Sequence, residues 1–235
     1  MPLHGSGFRE MGWWSPMRRG ILPVDGLRVT RSLRQAAKRY TTTVDQAFEA
    51  VLAGCADPTR ESGWIDHEIE GVHTDLHRSG HVHSVETWDS AGRLVGGLYG
   101  VGLGGLFAGE SMFHDPRYGR DASKVALLAL VELLSDDYSS DRVIDVQWQT
   151  DHLASLGVIE VDREEYLTLL DEVLSVPEAA WPGADASLGQ RRTRVPAPTI
   201  RPCRNCRRLK PCEDSSPKPA WDGRSPAPNW WRSPA

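Results

Sequence analysis

The stretch Leu94–Phe113 reads LVGGLYGVGLGGLFAGESMF. Two short apolar runs, Leu94–Val101 and Leu106–Phe113, flank Gly102, Leu103, Gly104 and Gly105. Glycine supplies the positive φ angles that a tight reversal needs, so the pattern predicts a β-hairpin. Gly96, Gly97, Gly100 and Gly109 fall inside the predicted strands. Glycine weakens a pleated strand, and inside one it marks a bulge or a close approach of ligand or backbone. One carboxylate, Glu110, interrupts the second run. It has two readings: it points to solvent from the polar face of a half-buried strand, or it is the fixed charge at the edge of an apolar pocket made by Leu98, Phe107 and Met112.

Outward from the hairpin, 235 residues fit one large domain, or one domain with an appendage, and 40% apolar residues suffice for a core. A net charge of −5 argues against a bulk nucleic-acid binder, so any RNA contact must come from a local basic patch. Of four cysteines, three crowd near the C-terminus, which is no disulfide framework and suggests a reducing compartment. No signal-like apolar region follows Met1, and the longest apolar run, Val125–Val131, is too short to span a bilayer. A soluble, cytoplasmic protein with no membrane partner is expected.

Toward the N-terminus, Met1–Gly12 carries no periodic signal. The pair Trp13-Trp14 puts indoles on opposite sides of an extended segment, as core and lid or as platforms for a base. Thr30 can cap a helix over Arg31–Tyr40 in which Arg31, Arg34 and Lys38 share a face, with Arg28 and Arg39 beside it. Such a face is of phosphate-contacting type, although most basic faces are merely solvated. Thr43-Val-Asp-Gln46 reads as a capping box opening a helix with Val44, Phe48, Val51, Leu52 and Cys55 inward. A second helix is expected over Asp66–Arg78. His73, His77, His81 and His83 invite a zinc reading, but no carboxylate or cysteine completes the set, and His81 and His83 lie on an emerging strand. No metal is expected.

Beyond the histidines, His83–Trp88 reads as a strand and Asp89–Gly92 as the turn into the hairpin. Asp121 is the expected N-cap of a helix over Ala122–Leu134, apolar on almost every face and therefore buried. Arg142–Trp148 reads as a strand carrying Asp145 and Gln147 on one face and Val146 on the other. A brief helical turn capped by Asp151 stops at Gly157, and Asp162 starts a last helix with Tyr166, Leu169, Leu170 and Val173 inward. The order is that of an α+β fold, a meander followed by a crossover. From Pro177 on, eleven of the sixteen prolines gather with glycine, serine and arginine. This predicts a mostly disordered tail over residues 177–235. Within it Cys203, Cys206 and Cys212 lack a fourth ligand, and a flexible basic arm touching RNA or another acidic surface is the better reading.

Several segments taken together resemble the leucyl/phenylalanyl-tRNA–protein transferase family. They include Trp13-Trp14-Ser15-Pro16, Thr30-Arg31-Ser32-Leu33-Arg34, Gly63-Trp64-Ile65, Gly80-His81-Val82-His83-Ser84-Val85-Glu86 and Leu94-Val95-Gly96-Gly97-Leu98-Tyr99-Gly100. They continue through Gly109-Glu110-Ser111-Met112-Phe113, Ala122-Ser123-Lys124-Val125-Ala126-Leu127, Asp145-Val146-Gln147 and His152-Leu153-Ala154-Ser155-Leu156-Gly157. The matches run in order across Trp13–Leu170, and the combination is far more specific than any one piece. The resemblance implies a GNAT-like acyltransferase fold over residues 28–176, with a mixed, mainly antiparallel sheet, after a shortened N-terminal segment over residues 1–27. It implies transfer of leucine or phenylalanine, and by extension methionine, from aminoacyl-tRNA to proteins with N-terminal Arg or Lys, creating a degradation signal. A monomer without cofactors is expected.

On this resemblance the donor side chain lies among Leu98, Phe107, Met112, Leu127 and Leu130, with Trp14 and Trp64 holding the terminal adenosine or the lid above it. Arg28, Arg31, Arg34, Lys38 and Arg39 contact the tRNA. Asp145 holds the attacking amine and takes its proton, directly or through a relay. Gln147 orients the amine or polarises the ester, since an amide is scarcely basic. Glu110 fixes the donor's α-ammonium or ribose. Against the family pattern, the segment before the tryptophan pair is expected to be missing or reduced to Met1–Gly12, Met17-Arg18 follows Ser-Pro, and His73 stands where an aromatic is common. The alternatives are a degenerate protein that binds aminoacyl-tRNA or protein N-termini without turnover, and an acyl-CoA N-acyltransferase. The second is disfavoured because the loop before Ala122 lacks a glycine-rich pyrophosphate cradle.

Overall fold

Runs rich in β-branched residues and glycine supply the strands, and apolar stripes at helical spacing supply the helices that cover them. The computed structural model describes residues 15–59 and 64–182, together with the backbone of 2–4 and 11–13. Pro2–His4 (β1) and Met11–Trp13 (β2) pair as a separate two-stranded ribbon. The main sheet has seven strands: Arg18–Pro23 (β3), Thr41–Val44 (β4), Val82–Trp88 (β5), Leu94–Leu103 (β6), Leu106–His114 (β7), Val143–Gln147 (β8) and Ile159–Asp162 (β9). Their order is β4-β5-β6-β7-β8-β3-β9, and only the β7–β8 pair is parallel. Among the described residues six α-helices complete an α+β fold: Arg31–Ala37 (α1), Phe48–Cys55 (α2), His67–Arg78 (α3), Ala122–Leu134 (α4), Asp151–Leu156 (α5) and Arg163–Leu174 (α6). Among the described residues no helix is long and apolar enough to cross a membrane.

The hairpin β6–β7 turns at Gly104, which adopts a φ of 57°. Because side chains alternate across a strand, β6 divides its residues between two layers. Tyr99 meets Phe48 of α2 and His73 of α3 on one face, where α6 also packs through Tyr166, Leu169 and Val173 against Ile21 and Val143. On the other face α4 lies so close that a Cβ on Gly96 would sit 2.6 Å from that of Ala122. That helix is buried as its composition predicts, with Val125, Ala126, Leu127, Leu128 and Leu130 almost wholly removed from solvent.

Two expectations are corrected. Thr43 belongs to a strand and does not open a helix: the β-branched run Thr41–Val44 pairs with Trp88–Val85, and the Thr43 hydroxyl donates to Glu86. Glu86 is wholly buried and also accepts from Ser84 Oγ at 2.5 Å and Ala47 N at 3.4 Å, so the amides leading into α2 find their anion on a neighbouring strand. Burial pushes its carboxyl above the ordinary range. The folded unit also extends past residues 28–176 on both sides. β3 lies between β8 and β9, and Ala179 and Trp181 pack on the core. The rest of the expected disordered tail, with Cys203, Cys206 and Cys212, lies outside the described residues.

Two of the histidines, His77 and His83, converge on Asp45, at 3.8 and 2.7 Å. His73 is buried beside Tyr99, and desolvation holds it neutral, with its pKa lowered to about 4. His77 also stacks on Phe48, and His81 is exposed.

Candidate active site

The parallel pair β7–β8 is in register only from Leu106↔Val143 to Ala108↔Asp145, while β7 runs on to His114. Past Ala108 the two strands part, and irregularities on both sides mark the place. On β7, Gly109 faces Gly100 and Ser111 faces Tyr99, which leaves Glu110 as an extra, unopposed residue. On β8, Asp145 faces Ile21 and Gln147 faces Gly20, so Val146 is unopposed. The chain then doubles back sharply: Gln147 takes a φ of 61°, and Trp148 N donates to Val146 O at 2.7 Å. An i→i+2 bond about a non-glycine residue at positive φ is a rare and strained turn. Gly20 makes room for it, because a Cβ there would lie 2.6 Å from the Trp148 carbonyl carbon.

Asp145 holds that turn from within. Its carboxylate accepts three hydrogen bonds of 2.6–3.0 Å from Arg19, one of 2.7 Å from Tyr166 Oη and one of 2.8 Å from Gln147 N. It is wholly buried. Both of its oxygens are engaged by these donors. Burial, and then the carboxylate of Asp145, push the Tyr166 hydroxyl well above its ordinary pKa, so it stays protonated as a donor. Gln147 spans the gap with its side chain, Nε2 donating to Gly109 O at 2.8 Å.

Glu110 keeps a partial opening to solvent but is enclosed by protein on most sides. Desolvation raises its carboxyl to about 7, with the charge of Asp145 adding to the rise and that of Arg19 opposing it. Glu110, Asp145 and Gln147 therefore occupy one neighbourhood, at the mouth of the gap between β7 and β8.

The apolar residues expected around the donor also come together. Leu98 and Met112 face each other across β6 and β7, Phe107 stands beside Ile144, and Leu127 and Leu130 descend from α4 into the same core cluster. Met112 is the most exposed of the five, at 9%. Trp64 belongs to the same core cluster but on the other face of β6 from Leu98, packing edge-on to His73, whose ring meets Tyr99. Trp14 lies outside the described residues. Arg28, Arg31, Lys38 and Arg39 are exposed and Arg34 is half-buried, along α1 and its flanks. Arg39 also donates to Arg120 O at 3.4 Å, which sets this basic edge beside the loop leading into α4.

Arg19 and Tyr166 escaped the sequence reading. A wholly buried aspartate demands a cation or several donors, but nothing local names the partner. Gly109 contributes only its carbonyl, which no side-chain pattern reveals.

Residues 21–171 match the family model for leucyl/phenylalanyl-tRNA protein transferase. A Rhizorhabdus wittichii protein named leucyl/phenylalanyl-tRNA–protein transferase is 50% identical over 175 residues, covering 73% of this chain and 68% of its own length. A Pseudoalteromonas atlantica protein of the same name is 46% identical over 175 residues, 72% of each chain. One from a Ruegeria species is 46% identical over 193 residues, 79% of this chain and 87% of its own. Among solved structures, L-PGS from Bacillus licheniformis overlays with a TM-score of 0.35 at 12% identity over 60% of this chain and 51% of its own, a likeness too slight to bear on the fold. The family matches define the class: the chain is an aminoacyltransferase. It belongs to the leucyl/phenylalanyl-tRNA–protein transferase family.

Proposed function

We propose that the protein moves leucine or phenylalanine from the 3′ end of an aminoacyl-tRNA to the α-amine of a protein beginning with arginine or lysine, marking the acceptor for degradation. The observation that carries this is the strained turn at Gln147, which holds an amide across the gap between β7 and β8, beside Glu110. Strain of that kind persists only where its surroundings over-determine it, and it clusters at functional sites. The parting of two parallel neighbours also supports a GNAT-like reading, in which the gap admits the activated acyl end of the donor.

In the reaction the acceptor nitrogen attacks the ester carbonyl, the new amide bond forms, and the carbon–oxygen bond to the terminal ribose breaks. The amine gives up a proton and the ribose hydroxyl gains one. An α-amine has an ordinary pKa of about 7.7–8.0, so a useful fraction is neutral at physiological pH. Alignment and exclusion of water then supply most of the acceleration. Gln147 orients the amine or polarises the ester. Asp145 and Arg19 fix the turn that presents it. Glu110 holds an ammonium in its charged form, and a pKa near 7 also suits it to receive a proton.

Leu98, Phe107, Met112, Leu127 and Leu130 take the donor side chain, whose burial contributes about 1.5–3 kcal/mol. Selection by apolar fit discriminates weakly, in keeping with acceptance of both leucine and phenylalanine. The basic edge along α1 takes the tRNA backbone. The purified chain, given radiolabelled Leu-tRNA and an Arg-initiated peptide, is expected to transfer the label. Binding of Leu-tRNA without transfer would reverse the assignment and leave a binding protein.

A further inference from the structure

The face of β6 that meets α4 carries Gly96, Leu98, Gly100 and Gly102, and all three glycines are covered by a side chain from elsewhere. A Cβ on Gly96 would strike Ala122, and one on Gly100 would lie 2.6 Å from the Phe107 ring. A Cβ on Gly102 would lie 3.1 Å from the indole of Trp181. The missing side chains thus define a shallow trough that runs from Leu98 toward the hairpin turn. Phe107 and Trp181 lie next to each other along it, their rings 5.7 Å apart.

Trp181 is held there firmly. Its indole stacks on His83 at 3.9 Å with the planes 8° apart, and Asp45 fixes the His83 ring. The chain arrives from the opposite face of the sheet. α6 ends against the hairpin turn, where Gly105 N donates to Val173 O at 2.9 Å, and residues 175–182 pass round that end of β6 and β7. Ala179 is buried on the way. Trp181 itself is only half-buried, so among the described residues it is the outer layer of the trough at this end.

We propose that Trp181 is a specificity-determining residue: backing Phe107, it closes the far end of the donor side-chain slot and limits the length of apolar side chain accepted. This rests on the reading that Leu98 and Phe107 line that slot. A donor side chain enters past Met112 and ends against Phe107, and a longer one must displace Phe107 toward the indole. Because Trp181 is clamped by His83, Phe107 has nowhere to go.

The test uses the full chain and a single tRNA charged in turn with leucine, phenylalanine and 4-phenylphenylalanine, with transfer to an Arg-initiated peptide as readout. The ratio of kcat/KM for 4-phenylphenylalanine to that for leucine is expected to rise tenfold or more in Trp181→Ala and several-fold in Trp181→Phe. A ratio unchanged in both variants, with leucine still transferred, overturns the role of Trp181 and leaves the proposed activity standing. Should Trp181→Ala fail to fold, Trp181→Phe decides alone. Absence of leucine transfer by the unaltered chain overturns the proposed activity, and this inference falls with it.

Discussion

Arg19 and Asp145, 126 residues apart in sequence, meet through three hydrogen bonds of 2.6–3.0 Å at the point where β7 and β8 separate. The aspartate is wholly buried and the arginine largely so, so removing the cation strands a charge in the interior. Arg19→Met is expected to cost about 3–5 kcal/mol in urea denaturation. In Arg19→Met/Asp145→Asn the buried charge disappears with its partner, and at least 1 kcal/mol of that loss should return. If the double variant is as unstable as the summed singles, the two residues are not coupled.

Gln147 shows the opposite balance between stability and activity. Its positive φ is strained for any side chain but free for glycine. Gln147→Gly relieves the strain but gives up the bond to Gly109 O, so its melting temperature should change little while transfer falls at least tenfold. Gln147→Ala loses the same bond and also keeps the strain, so it should be less stable than the glycine variant by about 1 kcal/mol. Undiminished transfer by Gln147→Gly would remove the amide from the chemistry.

These residues also show what was legible in the chain. The hairpin and α3, α4 and α6 announce themselves through signals confined to a few residues: glycine in the turn, an aspartate before a helix, apolar spacing. β3 gives no such signal, because Arg18–Pro23 contains a glycine and a proline and has no alternation. It is a strand because β8 and β9, over a hundred residues away, offer it edges. Thr43 looked like a local cap because its true partner, Glu86, lies on another strand. Glu110 stands out locally as the one carboxylate in an apolar run, whereas the roles of Asp145 and Gln147 come from the family resemblance. Arg19 and Tyr166 complete their surroundings only through long-range contacts, and Trp181 sits in a stretch whose composition reads as tail.

The raised pKa of Glu110 carries a stability signature. A carboxyl lifted from 4.5 to about 7 on folding binds its proton more tightly in the folded state. Its contribution is fully present below pH 4.5 and is lost as pH rises through 7, on the order of 3 kcal/mol in all. Glu110→Gln cannot titrate. Its melting temperature should match that of the unaltered chain at pH 4 and exceed it at pH 8. Thermal melts isolate this group better than rates do, because the acceptor amine titrates close by and blurs an activity profile. Parallel melting curves from pH 4 to 8 would show that Glu110 is not desolvated.

The basic edge along α1 calls for a salt-dependent measurement. Arg31 and Lys38 are exposed, and among the described residues their side chains make no hydrogen bond or ion pair that would explain them structurally. If each neutralises one phosphate, Arg31→Ala/Lys38→Ala weakens Leu-tRNA binding and flattens the plot of log affinity against log salt by about one unit per lost contact. An unaltered slope would mean that this face is merely solvated.

Two glycine-to-alanine changes of opposite sign test whether the trough on β6 is real. Gly71 lies in the exposed middle of α3, where an added Cβ meets nothing within 4 Å. Alanine there removes only the entropy cost of glycine in a helix, so Gly71→Ala should stabilise by roughly 0.5–1 kcal/mol. At Gly100 the same methyl would lie 2.3 Å from Ala108 O and 2.6 Å from the Phe107 ring. Backbone on one side and a packed ring on the other cannot both give way, so Gly100→Ala should destabilise by roughly 1–3 kcal/mol. It should also lower transfer of phenylalanine more than that of leucine, because the displaced Phe107 ring shortens the slot. Equal stability for the two variants in chemical denaturation would show that Phe107 does not lie over Gly100, and the account of the slot would fail with it.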